Sequence, residues 1–250
     1  MTIKVSIITA TYNSAKTISD ALQSVKEQSY HNIEHIIIDG ASSDDTLNII
    51  KKNGSRVSLV VSEPDSGIYD ALNKGISAAT GDIIGFMHSD DVFASNKSVE
   101  NMVDKYQNSD ADAIYCDLNY VDKNNTEKVI RKWISGDFSL SKLHLGWMPP
   151  HPTFYMKRAL YAEFGGFDLS YKIAADYDSM LRYLWKKRIT ITYFPEVLVK
   201  MRVGGASNRS LKNIIQKTKE DKKALVSNGV FWVKALFFKN LNKIPQYFHK

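Results

Sequence analysis

The chain has 250 residues, 44% of them hydrophobic and 24% charged, ordinary proportions for a globular protein able to build a substantial core in one large α/β domain or two small ones. Its single cysteine, Cys116, excludes an internal disulfide and a cysteine-rich metal site, and no apolar run approaches the ~20 residues of a membrane span. The net charge of +6 is local: residues 209–250 hold ten Lys/Arg against Glu220 and Asp221, which leaves residues 1–208 slightly acidic and argues against a nucleic-acid-binding body.

Lys4 to Thr9 is a β-rich run opening without the basic and long apolar regions of a signal peptide. The turn Ala10-Thr11-Tyr12-Asn13 follows, then a helical pattern on Ala15, Ile18, Leu22 and Val25. Ile33 to Ile38 is a second strand ending in Asp39-Gly40, and Ser42-Ser43-Asp44-Asp45 opens a second helix. Val57 to Ser62 is a third strand, closed by Glu63-Pro64-Asp65-Ser66-Gly67, and a third helix carries Ile68, Ala71, Leu72 and Ile76 on one face. The strand Asp82 to Met87 then runs straight into His88-Ser89-Asp90-Asp91. Adjacent carboxylates repel, and a cation or a bound hydroxyl would relieve them.

Ser95 to Tyr106 reads as a helix, Ala113 to Cys116 as a strand with Cys116 a buried small hydrophobe, and Leu118 to Val121 with Lys128 to Trp133 as a hairpin turning near Asn124-Asn125. Gly146 to Thr153 is extended or looped, Lys157 to Phe164 is a short helix stopped by Gly165-Gly166, and Ala174 to Lys187 is a long helix. Ile189 to Phe194 and Val197 to Met201 read as short strands around Pro195-Glu196. Strands alternating with helices predict a mostly parallel sheet whose ligands lie beyond the strands' carboxyl ends.

The first strand–helix turn has no glycine, so the backbone approach to a dinucleotide pyrophosphate is missing, and no Gly-Lys-Ser/Thr phosphate loop follows a strand. A nucleotide must be held otherwise. Val5-Ser6-Ile7-Ile8-Thr9-Ala10-Thr11-Tyr12-Asn13, the run Ile36 to Thr46, the run Glu63 to Gly75, and Gly81-Asp82 followed by a strand and Ser89-Asp90-Asp91 resemble family 2 glycosyltransferases of the GT-A fold. The similarity covers roughly residues 3 to 205 and is strongest to bacterial enzymes that build surface polysaccharide.

The resemblance implies a GT-A domain over 1–205, with a nucleotide-binding half (1–91) and an acceptor half (92–205), and a basic, aromatic-rich helical tail over 206–250. It implies a UDP- or GDP-sugar donor, Mn²⁺ or Mg²⁺, and inversion at the anomeric carbon. Thr9, Thr11, Tyr12 and Asn13 would line the nucleoside pocket, Asp39 would accept a hydrogen bond from the base, and Asp65 and Lys74 would lie beside the nucleotide. Asp90 matches the metal-binding aspartate, with Asp91 as neighbour or second ligand. His88, with Ser89, falls in the nucleotide contact region where the pattern usually has its first aspartate; a histidine there contacts a hydroxyl or a metal, or packs under the loop.

The catalytic base of the resemblance falls on Asp176, with Ala175 where glutamate is usual; Asp178 is an acceptor contact or structural. His151 and Trp147 are acceptor-side candidates, each weighed against simple packing. Val230-Phe231-Trp232-Val233 and Leu236-Phe237-Phe238 with Lys234, Lys239 and Lys243 predict a helix ended by Pro245, lying on an anionic membrane surface or packing on the body or a second subunit. The expected protein is a cytoplasmic-face enzyme acting on a lipid-linked oligosaccharide, compatible with a homodimer. A catalytically silent sugar-nucleotide-binding protein is the alternative, and a sugar-1-phosphate nucleotidyltransferase is disfavoured by its missing Gly-rich signature.

Overall fold

The computed structural model, which describes residues 2–204 and 211–241, turns the four apolar runs of the first third into parallel strands. They are β1 (Val5–Thr11), β2 (Ile33–Asp39), β3 (Val57–Ser62) and β4 (Ile83–Phe86). β1 lies between β2 and β4, in register Thr11↔Asp39 on one side and Ile8↔Phe86 on the other, and β3 flanks β2. The crossovers are α1 (Ile18–Lys26), α2 (Thr46–Asn53) and α3 (Ile68–Ala78). α1 buries Ile18, Ala21, Leu22 and Val25, the three- and four-residue spacing that puts one apolar stripe on a sheet.

Beyond β4 the sheet becomes mixed. The chain continues through β5 (Val92–Phe93), α4 (Ser98–Gln107), β6 (Ala113–Val121), β7 (Val129–Trp133), α5 (Leu140–Leu143), a 3₁₀ turn (His151–Thr153), β8 (Tyr155–Lys157), α6 (Arg158–Phe164), α7 (Ala175–Leu181), a π turn (Arg182–Lys186) and β9 (Ile191–Arg202). The sheet order is β3-β2-β1-β4-β8-β6-β9-β5, with β7 paired to β6. β8 runs antiparallel to both β4 and β6 and so joins the two halves. A Cβ on Gly85 would lie 2.1 Å from the Tyr155 ring, so only glycine lets that ring cross β4.

Several expected boundaries shift for identifiable reasons. Ala113 to Cys116 and Leu118 to Val121 form one strand, because the Asp117 carboxylate between them accepts from the Ser135 N–H and the Tyr193 hydroxyl. The two short strands expected around Pro195 are likewise one: pairing runs Cys116↔Phe194, then Asp117↔Val197, so Pro195 and Glu196 sit in a bulge that needs no ladder N–H. β5 and β8 are too short to carry a periodic signal. The long helix expected over 174–187 is α7 plus the π turn.

Alternate residues of β1 feed opposite faces of the sheet. Ile8 joins a large cluster with Ile36, Phe86, Tyr115, Phe154 and Tyr177, while Val5 and Ile7 join Val99, Met102, Ile114 and the free, buried Cys116. α8 (Leu211–Ser227), α9 (Trp232–Leu241) and the turn between them contribute Ala224, Leu225, Ala235 and Val230 to the first cluster. Pro245 lies outside the described residues.

Candidate active site

The carboxyl ends of β1, β2 and β4 converge with the start of α7. At β1 the Thr9 hydroxyl is fully buried, 3.0 Å from His35 Nε2; it ties β1 to β2 beneath the strand ends. Burial pushes His35 down to about 3, so that imidazole is neutral. Thr11, two residues on and near the strand end, is also buried, and its Oγ1 has no hydrogen-bond partner among the described residues. Tyr12 projects outward, 64% exposed. Asn13 adopts φ 48°, the left-handed conformation that asparagine tolerates. Its Oδ1 accepts from the Ser43 and Asp44 amides, and its N–H donates to Ser42 Oγ, fastening the β1 turn to the loop after β2.

That loop is built on Asp39. Its carboxylate is inaccessible to solvent and accepts from the Ser42 amide (2.9 Å), the Ser42 hydroxyl (2.5 Å) and the Ser62 hydroxyl (2.7 Å). A carboxylate has about four acceptor sites, so three are already used. Beside it, a Cβ on Gly40 would lie 2.5 Å from Asp65 Oδ2; glycine is what lets that carboxylate rest on the loop. Asp65 Oδ1 accepts the Gly67 N–H at 2.8 Å. Lys74 reaches back from α3 to Glu63 (2.8 Å) and the Pro64 carbonyl (3.0 Å). The hydrogen bond to Glu63 raises its pKa, and its direct partners are the turn it anchors.

After β4 the two adjacent aspartates part company. Asp91 is 1% exposed and accepts the Arg202 N–H at 3.0 Å. Burial, then the neighbouring Asp90 charge, push it well above the usual carboxylate range. The Arg202 guanidinium donates to the Asp90 carbonyl and to Asp20 Oδ2, each at 2.5 Å, and to the Lys123 carbonyl. Arg202 and Asp20 are thus the frame of the loop, invisible in sequence because they come from β9 and α1. The Asp90 carboxylate takes no hydrogen bond or ion pair from the described residues. Ser89 Oγ is 2.9 Å from Ser14 Oγ, which pins the loop to the chain before α1.

His88 is within electrostatic reach of both Asp90 and Asp176. Burial lowers its pKa, and the Asp90 and Asp176 carboxylates act on it in the opposite direction. Its ring is 6.3 Å from that of His151, which stacks on Phe86 at 4.9 Å. His151 Nε2 is buried without a hydrogen-bond partner among the described residues, and burial, followed by His88, pushes its pKa down to about 3. Both imidazoles therefore offer a neutral ring nitrogen.

Asp176 sits in the first turn of α7 and is half-buried. The Tyr69 hydroxyl donates to the Ile173 carbonyl at 2.7 Å and lies 3.3 Å from Asp176 Oδ1. Tyr69 belongs to the run Glu63 to Gly75, and its aromatic phenol in an otherwise aliphatic helix stripe was the signal that could have marked it. Asp178 is buried, bonded by Asn228 at 2.9 Å and facing Arg182 at 3.8 Å; the structure gives it protein partners rather than an acceptor. Trp147 is half-buried, donates its indole N–H to the Ser135 carbonyl and sets its ring edge-on to Tyr115. The tail is likewise not free: Ala235 is buried and Trp232 and Leu236 are half-buried, although Phe231, just before α9, and Phe237 on it remain 68% and 62% exposed.

The donor set can be tested for a cation. Among the described residues no group of three His, Cys, Asp or Glu could hold a metal alone. Mg²⁺ and Mn²⁺ are commonly held by one or two carboxylates plus phosphate oxygens and water. Asp90, unpartnered beside a neutral His88, fits a cation completed by a bound diphosphate. No helix among the described residues is long and apolar enough to cross a membrane.

A family model described as glycosyl transferase family 2 matches residues 6–173. An uncharacterized glycosyltransferase of Mycobacterium tuberculosis is 34% identical over 180 residues, covering 71% of this chain and 68% of the relative. A PGL/p-HBAD biosynthesis glycosyltransferase of Mycobacterium bovis is 27% identical over 208 residues, covering 81% and 78%. S. aureus TarS 1–349 in complex with UDP superposes with a TM-score of 0.69 at 21% identity, over 90% of this chain and 65% of that one. A mannosyltransferase of Pyrobaculum calidifontis in complex with GDP-Man and Mn²⁺ gives 0.68 at 19% identity, over 91% and 64%. The chain thus spans a little under two thirds of these structures and shares their fold.

Proposed function

Because this chain belongs to glycosyltransferase family 2, we propose that it moves one sugar, with inversion, from a UDP- or GDP-sugar to a hydroxyl of a lipid-linked oligosaccharide in bacterial surface polysaccharide synthesis. The observation that carries this reading is the meeting of Asp90 and Asp176 around His88 at the strand ends, from two distant parts of the chain. Inverting transfer needs a base on the acceptor hydroxyl and charge stabilisation on the departing diphosphate, on opposite sides of the anomeric carbon.

Asp176 takes the acceptor proton as the hydroxyl attacks in line. Tyr69 holds the main chain under that carboxylate. Thr11, whose hydroxyl has no partner among the described residues, would contact the nucleoside, and the buried Asp39 would meet its base through the one acceptor site left to it. His151 and His88 present neutral imidazole nitrogens at the sugar or diphosphate. Asp90 would hold Mn²⁺ or Mg²⁺, which supplies Lewis-acid stabilisation of the diphosphate when bound.

A thermal-shift screen of UDP, GDP and dTDP with and without Mn²⁺ tests the donor side. One nucleotide is expected to raise Tm only with the cation, by the linkage that makes a ligand at 100 times its Kd worth about 2.7 kcal/mol. Stabilisation by none of them, or equally without metal, rejects the proposed site. The solved neighbours in complex with UDP, UDP-GlcNAc or GDP-Man support this choice of nucleotides.

The exposed face of α9 supports a peripheral membrane location. Val233, Phe237 and Leu241, four residues apart, project from it, Phe231 is exposed just before its start, and Lys234 is exposed among them, a pairing suited to an anionic leaflet where each nearby cation contributes roughly 1 kcal/mol. The chain is expected to sediment with vesicles containing phosphatidylglycerol and not with phosphatidylcholine alone. Phe231→Ser with Phe237→Ser should release it, and equal binding to both vesicle types would reject the membrane role.

A further inference from the structure

Ala174 stands at the N-cap of α7, yet it has no side chain able to receive an amide, and within the first turn Asp176 Oδ1 accepts the Tyr177 N–H alone. Helices that start this way leave backbone N–H groups in need of partners. Here the partner comes from α8, outside the residues 6–173 that the family model matches. Glu220 is 4% exposed, and its Oε2 accepts the N–H groups of Ile173 (2.8 Å), Ala174 (3.0 Å) and Lys172 (3.1 Å). Its Oε1 accepts Lys172 N–H as well (3.1 Å) and the Gln216 side-chain amide (2.8 Å). Burial works against this charge, and the bonds from Gln216 and the three amides outweigh it, holding Glu220 below its usual value.

Ile173 is gripped at both ends. Glu220 takes its N–H, and its carbonyl accepts the Tyr69 hydroxyl, which lies 3.3 Å from Asp176 Oδ1. The next residues are tied by the same hairpin: Lys239 Nζ, 2.9 Å from Asp221 Oδ1, lies 3.2 Å from the centre of the Tyr177 ring, and Asn228 bonds Asp178.

We propose that Glu220 is a positioning residue for Asp176: the α8–α9 hairpin supplies the missing cap of α7 and thereby fixes where the base stands. This rests on the reading of Asp176 as the base. A displacement of about 1 Å in a reacting group can cost on the order of 100-fold in rate. The cap therefore governs turnover more than donor binding, because none of its contacts reaches the nucleotide side of the cleft.

The test measures release of nucleoside diphosphate by the full chain from a panel of UDP-, GDP- and dTDP-sugars with Mn²⁺ and octyl β-glucoside as hydroxyl acceptor, beside hydrogen exchange at amides 172–174. Glu220→Ala is expected to lower kcat at least ~10-fold, to leave the donor KM within about twofold, and to speed exchange at those amides. Glu220→Gln keeps an oxygen where Oε2 stands and should restore kcat to within about threefold of wild type. In an Asp176→Asn background, Glu220→Ala should cost nothing further. Full turnover in Glu220→Ala, or the same fold-loss with and without Asp176, overturns the proposal. Wild-type turnover in Asp176→Asn alone would instead overturn the base assignment. Should Glu220→Ala fail to fold, Glu220→Asp decides, since it keeps the charge and withdraws it by one methylene: reduced kcat at unchanged donor KM supports positioning, and unchanged kcat rejects it.

Discussion

Asp176→Asn is expected to lower kcat by roughly 10²- to 10⁴-fold, the range that removing a positioned general base costs. Asparagine preserves the shape and can still accept the Tyr177 N–H and face Tyr69, as Asp176 Oδ1 does. Folding and donor affinity should therefore be unchanged, and the loss should fall on kcat and kcat/KM together. The measurement is steady-state release of nucleoside diphosphate, paired with nucleotide-linked thermal shift to show an intact donor site. If Asp176→Asn turns over like wild type, the proton goes elsewhere and His151, buried and unpartnered at Nε2, becomes the group to vary. The prediction also separates the enzyme from a silent binding protein, in which the variant would change neither reading.

Asp90→Asn and Asp91→Asn should behave oppositely despite being neighbours. Asp90→Asn removes a carboxylate that has no hydrogen bond or ion pair among the described residues, and the Mn²⁺-dependent part of nucleotide binding should weaken roughly 100-fold, at or above the cost of losing an outer-shell ligand partner. Asp91→Asn leaves an oxygen to accept the Arg202 N–H and should change stability at pH 5 by less than about 1 kcal/mol. Its signature is in pH. A carboxyl whose pKa is higher in the folded chain favours folding where it is protonated. That contribution is whole below the unfolded value, about 4, and is lost as pH rises through the raised folded value. Asparagine cannot ionise, so the Tm of Asp91→Asn should gain on wild type between pH 5 and 8. A Tm difference independent of pH, or loss of the Mn²⁺ effect in Asp91→Asn, would show that Asp91 faces the ligand after all.

The contrast between these two residues shows where reading residues in order runs out. Asp90 and Asp91 look alike in sequence, as a repelling pair at a strand end. Which one keeps an unbonded carboxylate among the described residues depends on Arg202, whose main chain on β9 engages Asp91 and whose guanidinium holds the Asp90 carbonyl. Thr9 and Thr11 differ in the same way. Both belong to β1, but His35 on the adjacent strand binds the first, while the second is left with a free hydroxyl near the strand's end.

What the amino-acid order determined by itself was local and periodic: the alternating strands and helices of the first 90 residues, the loops at their carboxyl ends, and the family those runs belong to. Period-2 and period-3.6 patterns are written along the chain, and β1, β2, β3 and α3 appear within two residues of where they are expected. The tertiary structure alone decided which side chains are spent on the fold and which remain for chemistry. It joined two expected strands across Pro195 through a bulge, turned Trp147 and Asp178 to protein partners, and docked a basic tail whose Glu220 caps the helix of Asp176. Those outcomes depend on hydrogen bonds between residues far apart in the chain, and a cap supplied from another helix leaves no mark beside the helix it completes.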